Sequence, residues 1–188
     1  MRVLAISGSL RRDSHNTSLL RAAAELLPPP VELELFEGLK QVEPYDEDDD
    51  GSWAPSGARR LREAIERADA ILIATPEYNS SLPGQLKNAL DWASRPFRAN
   101  ALRNKPAAVI GASTGMFGAV WSQAEARKVL GASGARVLER ELPVPKAAEA
   151  FTEEGRLADP ELREQLAEIL AELVALAEQA GAAEPIAA

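Results

Sequence analysis

Three short stretches of this chain place side chains and backbone groups where a small ligand could be held. The first, Gly8-Ser9-Leu10-Arg11-Arg12-Asp13-Ser14-His15-Asn16-Thr17-Ser18, combines hydroxyls, an amide and two arginines. It leads into a segment of helical character, and the free N–H groups and positive dipole end of a helix N-terminus attract anions. Ser9, Ser14, Asn16 and Thr17 could donate to phosphate oxygens while Arg11 supplies charge. That set suits one terminal monophosphate. The stretch has neither the G-x-G-x-x-G dinucleotide fingerprint nor the Gly-Lys-Ser/Thr of a Walker loop, which disfavours a cradle for di- or triphosphates. The plainer alternative is that Ser, Asn and Thr only cap the helix. The second stretch, Thr75-Pro76-Glu77-Tyr78-Asn79-Ser80-Ser81-Leu82-Pro83-Gly84, is stiffened by two prolines and offers an aromatic face at Tyr78. Backbone groups of such a loop can read the polar edge of a flat heterocycle; the alternative is an ordinary strand-to-helix turn capped by Ser80 or Ser81. The third, Ser113-Thr114-Gly115-Met116-Phe117-Gly118, carries glycines that permit a ligand to approach the backbone closely.

What the chain lacks narrows the chemistry. Its 188 residues include no cysteine and one histidine, which excludes disulfides, thiolate nucleophiles and multi-histidine metal sites. Lys and Arg number 21 against 29 Asp and Glu, and a formal net charge of -8 argues against a nucleic-acid partner. It leaves a single local phosphate open. A hydrophobic content of 46% is too high for a disordered chain. No run of about 18 uncharged apolar residues exists, so no membrane insertion is expected. The N-terminal apolar run is too short for a secretory signal, and a soluble, cytoplasmic protein is expected. Asp46, Asp48, Asp50 and Gly51 begin like a calcium loop, but the twelfth position is Gly57 where a bidentate Glu belongs, so a solvated acidic loop is expected.

The three stretches need a scaffold, and the flanking residues supply its outline. Arg2 to Ser7, Ala70 to Thr75 and Ala107 to Ala112 are short apolar runs, as strands covered on both faces should be. Val31 to Phe36 alternates apolar and acidic residues and predicts an outer, half-exposed strand; Ala135 to Leu142 suggests a fifth. Between them lie helical segments: one capped by Asn16 or Thr17 and running to about Leu27, then 58–68, then one with Pro83 in its first turn and an apolar stripe Leu82, Leu86, Leu90, Ala93. A further helix spans about 119–130, and a long one follows Asp159-Pro160, with fraying from Gly181 onwards. The stretch from Glu37 to Gly57 reads as a long loop. Strands alternating with helices predict an α/β architecture with a mostly parallel sheet. In such sheets ligands bind beyond the carboxyl ends of the strands, where the strand order reverses. The three chemically suggestive stretches follow strands one, three and four.

At these residues the chain resembles the NADPH-dependent FMN reductase family, flavodoxin-like flavoproteins that include quinone, chromate and azo-dye reductases. The matching pieces are GSLRRDSHNTSLL at Gly8 to Leu20 and TPEYNSSLPGQLKNALDW at Thr75 to Trp92, and the similarity covers roughly Arg2 to Val144. The resemblance implies a flavodoxin-like three-layer α/β sandwich whose five-stranded parallel sheet runs in the order 2-1-3-4-5. It implies one FMN-binding domain over 1–181, with 182–188 a frayed tail. Ser9, Arg11, Ser14, Asn16 and Thr17 would hold the FMN phosphate. Pro76, Glu77, Tyr78 and Asn79 would wrap the isoalloxazine ring, largely through backbone contacts, and Ser113, Thr114 and Gly115 would border its other side. NADPH or NADH would donate hydride to the flavin, and a quinone or similar small acceptor would take the electrons. No side chain need act as nucleophile or base.

The resemblance also implies a homodimer or homotetramer, with the helix after the PEYN motif at an interface. A flavodoxin-like electron carrier, or a flavin-binding regulatory protein without NAD(P)H turnover, is the alternative from a different functional class. The chain departs from the family at one position of interest: where an arginine often follows the fourth-strand loop, it has Trp121. Trp53, Trp92 and Trp121 are expected to be packing or interface residues, and Asp91 and Arg95 stand at helical i, i+4 spacing.

Overall fold

The computed structural model describes residues 1–51 and 53–182. Among them the chain forms β1 (Arg2–Ser7), α1 (His15–Leu26), β2 (Glu32–Leu35), α2 (Ser56–Arg67), β3 (Ala70–Thr75), α3 (Gly84–Ala93), β4 (Pro106–Ala112), α4 (Val120–Ala132), β5 (Arg136–Val137), β6 (Pro143–Val144) and α5 (Pro160–Ala182). All strand pairings are parallel, and the sheet runs β2-β1-β3-β4-β5, with β6 also pairing β4. This is the expected flavodoxin-like order.

The apolar strands explain the three layers. Side chains alternate across a strand, so each of β1, β3 and β4 feeds two cores. Leu4, Ile6, Ile71, Ile73 and Val109 pack on one face with α2, α3 and α4. Val3, Ala5, Leu72, Ala108 and Ile110 pack on the other with α1 and α5. β2 lies at the sheet edge and keeps Glu32 and Glu34 exposed, as its alternation predicts.

The expected fifth strand over Ala135–Leu142 shrinks to Arg136–Val137, and a second short strand follows it at Pro143–Val144. Leu138 still donates to the Ala107 carbonyl, and the chain then leaves the sheet. Glu139, Arg140 and Glu141 are all charged, and continuing between covered faces would strip them of water. They turn outward, where Arg140 meets Glu168 and Glu172 and Glu141 meets Arg127. Pro143–Val144 then returns beside Gly111 and Ala112.

Two helix caps differ from expectation, and the start of α4 falls where expected. Ser14 caps α1, its Oγ accepting from Thr17 N–H at 3.3 Å, because Asn16 is drawn into the core. α3 begins after Pro83 with no side-chain cap, so neither Ser80 nor Ser81 fills that role. α4 begins at Val120, after Ala119 in left-handed conformation. At the far end, Gly181 and Ala182 remain helical, and residues 183–188 of the expected frayed tail lie outside the described residues. Among the described residues no helix is long and apolar enough to cross a membrane.

The stretch 37–55 contains two 3-10 turns, Leu39–Gln41 and Glu47–Asp49, and is strapped to α2 and α3. Gln85 Nε2 donates to the carbonyls of Leu39 and Val42, and Asn88 Nδ2 and the fully buried Trp92 Nε1 both donate to that of Glu43. Arg62 pairs with Asp50 at 2.7 Å, and Arg95 donates to the Tyr45 hydroxyl. Arg95 is thereby taken from the expected partner Asp91, which pairs with Lys87. Asp46 accepts from the N–H of Asp48, and no cluster fit for a metal ion exists among the described residues.

Glu43 is the strap's main fastening. Its carboxylate accepts from the N–H groups of Gly57 and Ala58 and from Ser56 Oγ, capping α2 from outside the helix. Burial pushes this carboxyl up, but hydrogen bonds from its own N–H, Gly57, Ala58 and Ser56 outweigh that and hold it below the usual carboxylate value. Glu43→Gln keeps one carbonyl acceptor and loses the charge, so it should cost part of the about 0.5–2 kcal/mol that a lost helix cap costs. Thermal unfolding should fall by about 2–4 °C for each kcal/mol lost. A folded-state pKa below the unfolded one means this stabilisation is present above the unfolded value and disappears as pH falls through the folded one. The wild-type advantage over Glu43→Gln, measured by denaturant unfolding, should therefore close in acid.

Candidate functional site

The carboxyl ends of β1, β3 and β4 bring the three suggestive stretches to one rim of the sheet. Gly8 is held where loop one crosses loop two: its N–H donates to the Ala74 carbonyl at 2.8 Å, and a Cβ there would stand 2.9 Å from Leu86 Cδ2 and 3.2 Å from Pro76 Cδ. A larger residue there would require Leu86 and Pro76 to shift. Beyond it Ser9 is half-buried and Arg11 exposed, the guanidinium folded back on the Asp13 carbonyl. Ser14 is buried as the cap of α1. Thr17 Oγ1 donates to Ser7 Oγ at 3.0 Å.

Asn16 has a different duty from the one its sequence position suggests. Its amide donates to the Ala112 carbonyl and accepts from the Ala112 N–H, both at 2.9 Å, and the side chain is buried. It stitches the first loop to the end of β4 across 96 positions of sequence. Its backbone N–H and that of His15 are first-turn donors that a helix cannot satisfy internally. His15 lies against Phe151, rings parallel with centroids 6.4 Å apart.

The second stretch is a tight turn fastened to α4. Tyr78 and Ser81 exchange backbone hydrogen bonds at 3.0 and 3.1 Å. Between them Asn79 and Ser80 both adopt left-handed backbone, with φ of 54 and 60. Glu77 Oε2 accepts from the N–H groups of Trp121 and Ser122 at 3.1 and 3.2 Å. With Val120 bonded to Phe117 and Gln123 to Ala119, the first four N–H groups of α4 are all satisfied. A carboxylate from another loop thus caps a helix whose own N-cap, Ala119, has no side chain to do so.

Thr75 Oγ1 and Ser122 Oγ, both fully buried, lie 2.7 Å apart, and each is 2.8 Å from the Pro76 carbonyl. Two hydroxyl protons serve these three contacts: one bonds the carbonyl, the other bridges the hydroxyls. Farther along α4, Glu125 Oε2 accepts from Ser81 Oγ at 2.5 Å and Leu82 N–H at 3.0 Å.

The third stretch hangs on β6. Ser113 donates to the Val144 carbonyl, Ala147 to that of Ser113, and Lys146 to that of Gly115. Thr114 and Gly115 are exposed, and a Cβ on Gly115 would meet only Ser113 Oγ, at 3.5 Å. Gly118 answers to the fold instead: its φ is +58, and a Cβ would lie 2.5 Å from the Pro143 backbone. Gln123 closes this side, donating to the Gly118 carbonyl and accepting from Leu142 N–H.

Two chemically distinct ends result. At one, hydroxyls, Arg11 and the open N-terminus of α1 can hold an anion. At the other, the rim is apolar: of seven large hydrophobic side chains exposed among the described residues, Tyr78, Met116, Phe117 and Trp121 stand on the second and third loops or beside them. Trp121 packs edge-on against Phe117 with centroids 5.1 Å apart. Of the other tryptophans, Trp92 is core as expected and Trp53 is exposed. Sequence reasoning missed Thr75, Ser122, Gln123 and Glu125. Nothing local to these residues marks them, because their partners lie in other loops.

Residues 1–149 match the family model of NADPH-dependent FMN reductases. The chain is 43% identical over 165 residues to an NAD(P)H-dependent FMN reductase of Pseudomonas aeruginosa, covering 87% of this chain and 88% of that one. It is 37% identical over 158 residues to a quinone reductase of Pseudomonas putida, covering 84% of each. Its fold superposes on a flavoenzyme NAD(P)H:(acceptor) oxidoreductase from Paracoccus denitrificans with a TM-score of 0.82 at 35% identity, over 95% of this chain and 97% of that one. With the motif-bearing loops gathered on one rim and this likeness over nearly its whole length, the chain belongs to the NADPH-dependent FMN reductase family.

Proposed function

We propose that the protein binds FMN across the carboxyl rim and passes reducing equivalents from NAD(P)H to quinones. The observation that carries this reading is the pairing of an anion-holding end with an apolar, aromatic end on one rim, which matches the two halves of the cofactor. When bound, FMN supplies the hydride and electron chemistry, and the protein's part is to bind and orient.

The phosphate end is assigned to Ser9, Arg11, Ser14, Asn16 and Thr17. Ser9 and Arg11 contribute side chains and Asn16 its backbone N–H, since its amide is committed to Ala112. Ser14 and Thr17 shape the first turn and add hydroxyl groups. The ring end is assigned to Pro76, Glu77, Tyr78 and Asn79 on one side and Ser113, Thr114 and Gly115 on the other. Glu77 acts there through its backbone, because its carboxylate caps α4. The exposed Met116, Phe117 and Tyr78 favour flat, apolar acceptors, which lose water against them. Fixing donor and acceptor against one face is the principal kinetic contribution of such a site.

We further place the protein in the cytoplasm, where NAD(P)H is supplied, and as a homo-oligomer whose interface includes α3. The exposed Phe97 beside the groove between α3 and α4 supports that interface. Light scattering on the purified protein measures the copy number.

The purified protein should show flavin absorbance that NADPH or NADH bleaches and a quinone restores. Absorbance that no nicotinamide bleaches would favour the electron-carrier reading. A charge-assisted hydrogen bond is worth about 1.5–3 kcal/mol. Arg11→Ala should therefore weaken FMN about ten- to a hundredfold in a fluorescence titration.

The single histidine gives a second test. Burial, then the positive charge of Arg11, holds the His15 imidazole below its ordinary 6.5. The native state thus resists this proton more than the unfolded chain does, so His15 lowers stability as pH falls through 6.5. A phosphate dianion at the start of α1 offsets the Arg11 charge. FMN should therefore raise the NMR titration midpoint of His15. An unmoved midpoint would contradict the phosphate assignment.

A further inference from the structure

The turn at Tyr78–Ser81 is held in a shape that its own sequence does not favour. Two consecutive left-handed residues form the mirror-image turn that Asn-Gly fits best, and here the second place is Ser80. A side chain in that conformation is strained. Such strain persists where surroundings over-determine it. Leu82 is anchored in the core, and the side-chain hydrogen bonds that grip the loop on both sides of the turn come from one helix. α4 grips the loop before the turn through the Trp121 and Ser122 N–H groups on Glu77 and through Ser122 Oγ on the Pro76 carbonyl. It grips the loop after the turn through Glu125, whose Oε2 takes both the Ser81 hydroxyl and the Leu82 N–H. Nothing else in the described hydrogen bonding ties Ser81 and Leu82 to α4.

We propose that Glu125 is a positioning residue for the flavin ring: by holding Ser81 and Leu82 it presets the Tyr78–Asn79 turn against which the ring lies. The proposal rests on the FMN reading above and adds to it a residue that touches no cofactor. A turn already in its bound shape loses less freedom on binding, which strengthens affinity without a new contact. The carboxylate suits the task. The Ser81 hydroxyl, then the Leu82 N–H, hold its pKa below the usual range against a small effect of burial, and Lys128 and Lys87 add to this. Glu125 is therefore ionised and accepts both bonds at neutral pH.

Because Glu125 acts on the ring end and not the phosphate end, two ligands separate its effect. Riboflavin has the ring without the phosphate, and FMN has both. Glu125→Ala should weaken riboflavin and FMN by the same factor, about tenfold for the loss of about 1.4 kcal/mol of preset geometry. The ratio of the two affinities should stay at the wild-type value. Amide hydrogen exchange at Ser81 and Leu82 should quicken, and the bound flavin's absorbance bands should shift. Glu125→Gln keeps a carbonyl acceptor and should fall between. Arg11→Ala should do the reverse, lowering the preference for FMN over riboflavin. If Glu125→Ala fails to fold, Glu125→Gln and Ser81→Ala carry the same comparison. A folded Glu125 variant with wild-type exchange and wild-type affinity for both ligands would overturn the role of Glu125 alone. So would a loss confined to FMN. Wild-type protein that binds neither ligand would overturn the FMN reading itself, and this proposal with it.

Discussion

The burial of two hydroxyls, Thr75 at the end of β3 and Ser122 in the first turn of α4, organises the whole carboxyl rim. Neither can reach water, so each must find a partner in protein. They find each other and the Pro76 carbonyl, and that arrangement exists only if β3 and α4 stand in one relative position. Glu77 then lies where it can cap α4, and Ala119 can begin the helix without a capping side chain. The adjacent Gln123 extends the same logic to Gly118 and Leu142, joining the third loop to the strands beyond it. With Asn16 stitching the first loop to Ala112, the three loops are joined as one body.

α3 is braced separately. It emerges from the second loop, and its buried face sits in the core through Leu86, Leu90 and Trp92. Its polar residues Gln85 and Asn88 face the strap at 39–45 and satisfy that segment's backbone. A stretch rich in acidic residues and prolines is thus ordered without belonging to the sheet. Its carbonyls and N–H groups are bonded by side chains from helices already fixed by the core. The acidic run within it neutralises part of its own charge through Arg62, which also lies over the Trp92 ring at 5.3 Å.

The resemblance to FMN reductases is read from the motifs, yet the structure assigns several motif residues to architecture. Asn16 and Glu77 look like ligand-binding side chains in a linear reading, and both turn their polar ends to backbone groups of other loops. This is compatible with a ligand site whose contacts are largely made by backbone: side chains set the loop shapes, and the freed N–H and C=O groups face the ligand. Trp121 gives this part of the rim an aromatic character, and its pairing with Phe117 places that apolar surface beside the second loop.

The sequence by itself determined the layers. Uniformly apolar runs at β1, β3 and β4, an alternating β2 and the helical stripes between them admit little but a parallel sheet covered on both faces, and periodicity is a local property that needs no partner to be read. It also placed three loops at the carboxyl ends of those strands, the region where ligands bind in sheets of this kind. Tertiary structure alone decided which polar atoms are available. The breaking of the fifth strand by Glu139, Arg140 and Glu141, the capping of α2 by Glu43 and of α4 by Glu77, and the hold of Glu125 on Ser81 all join residues distant in the chain. A hydrogen bond depends on distance and angle in space, and spacing along the chain carries no record of either.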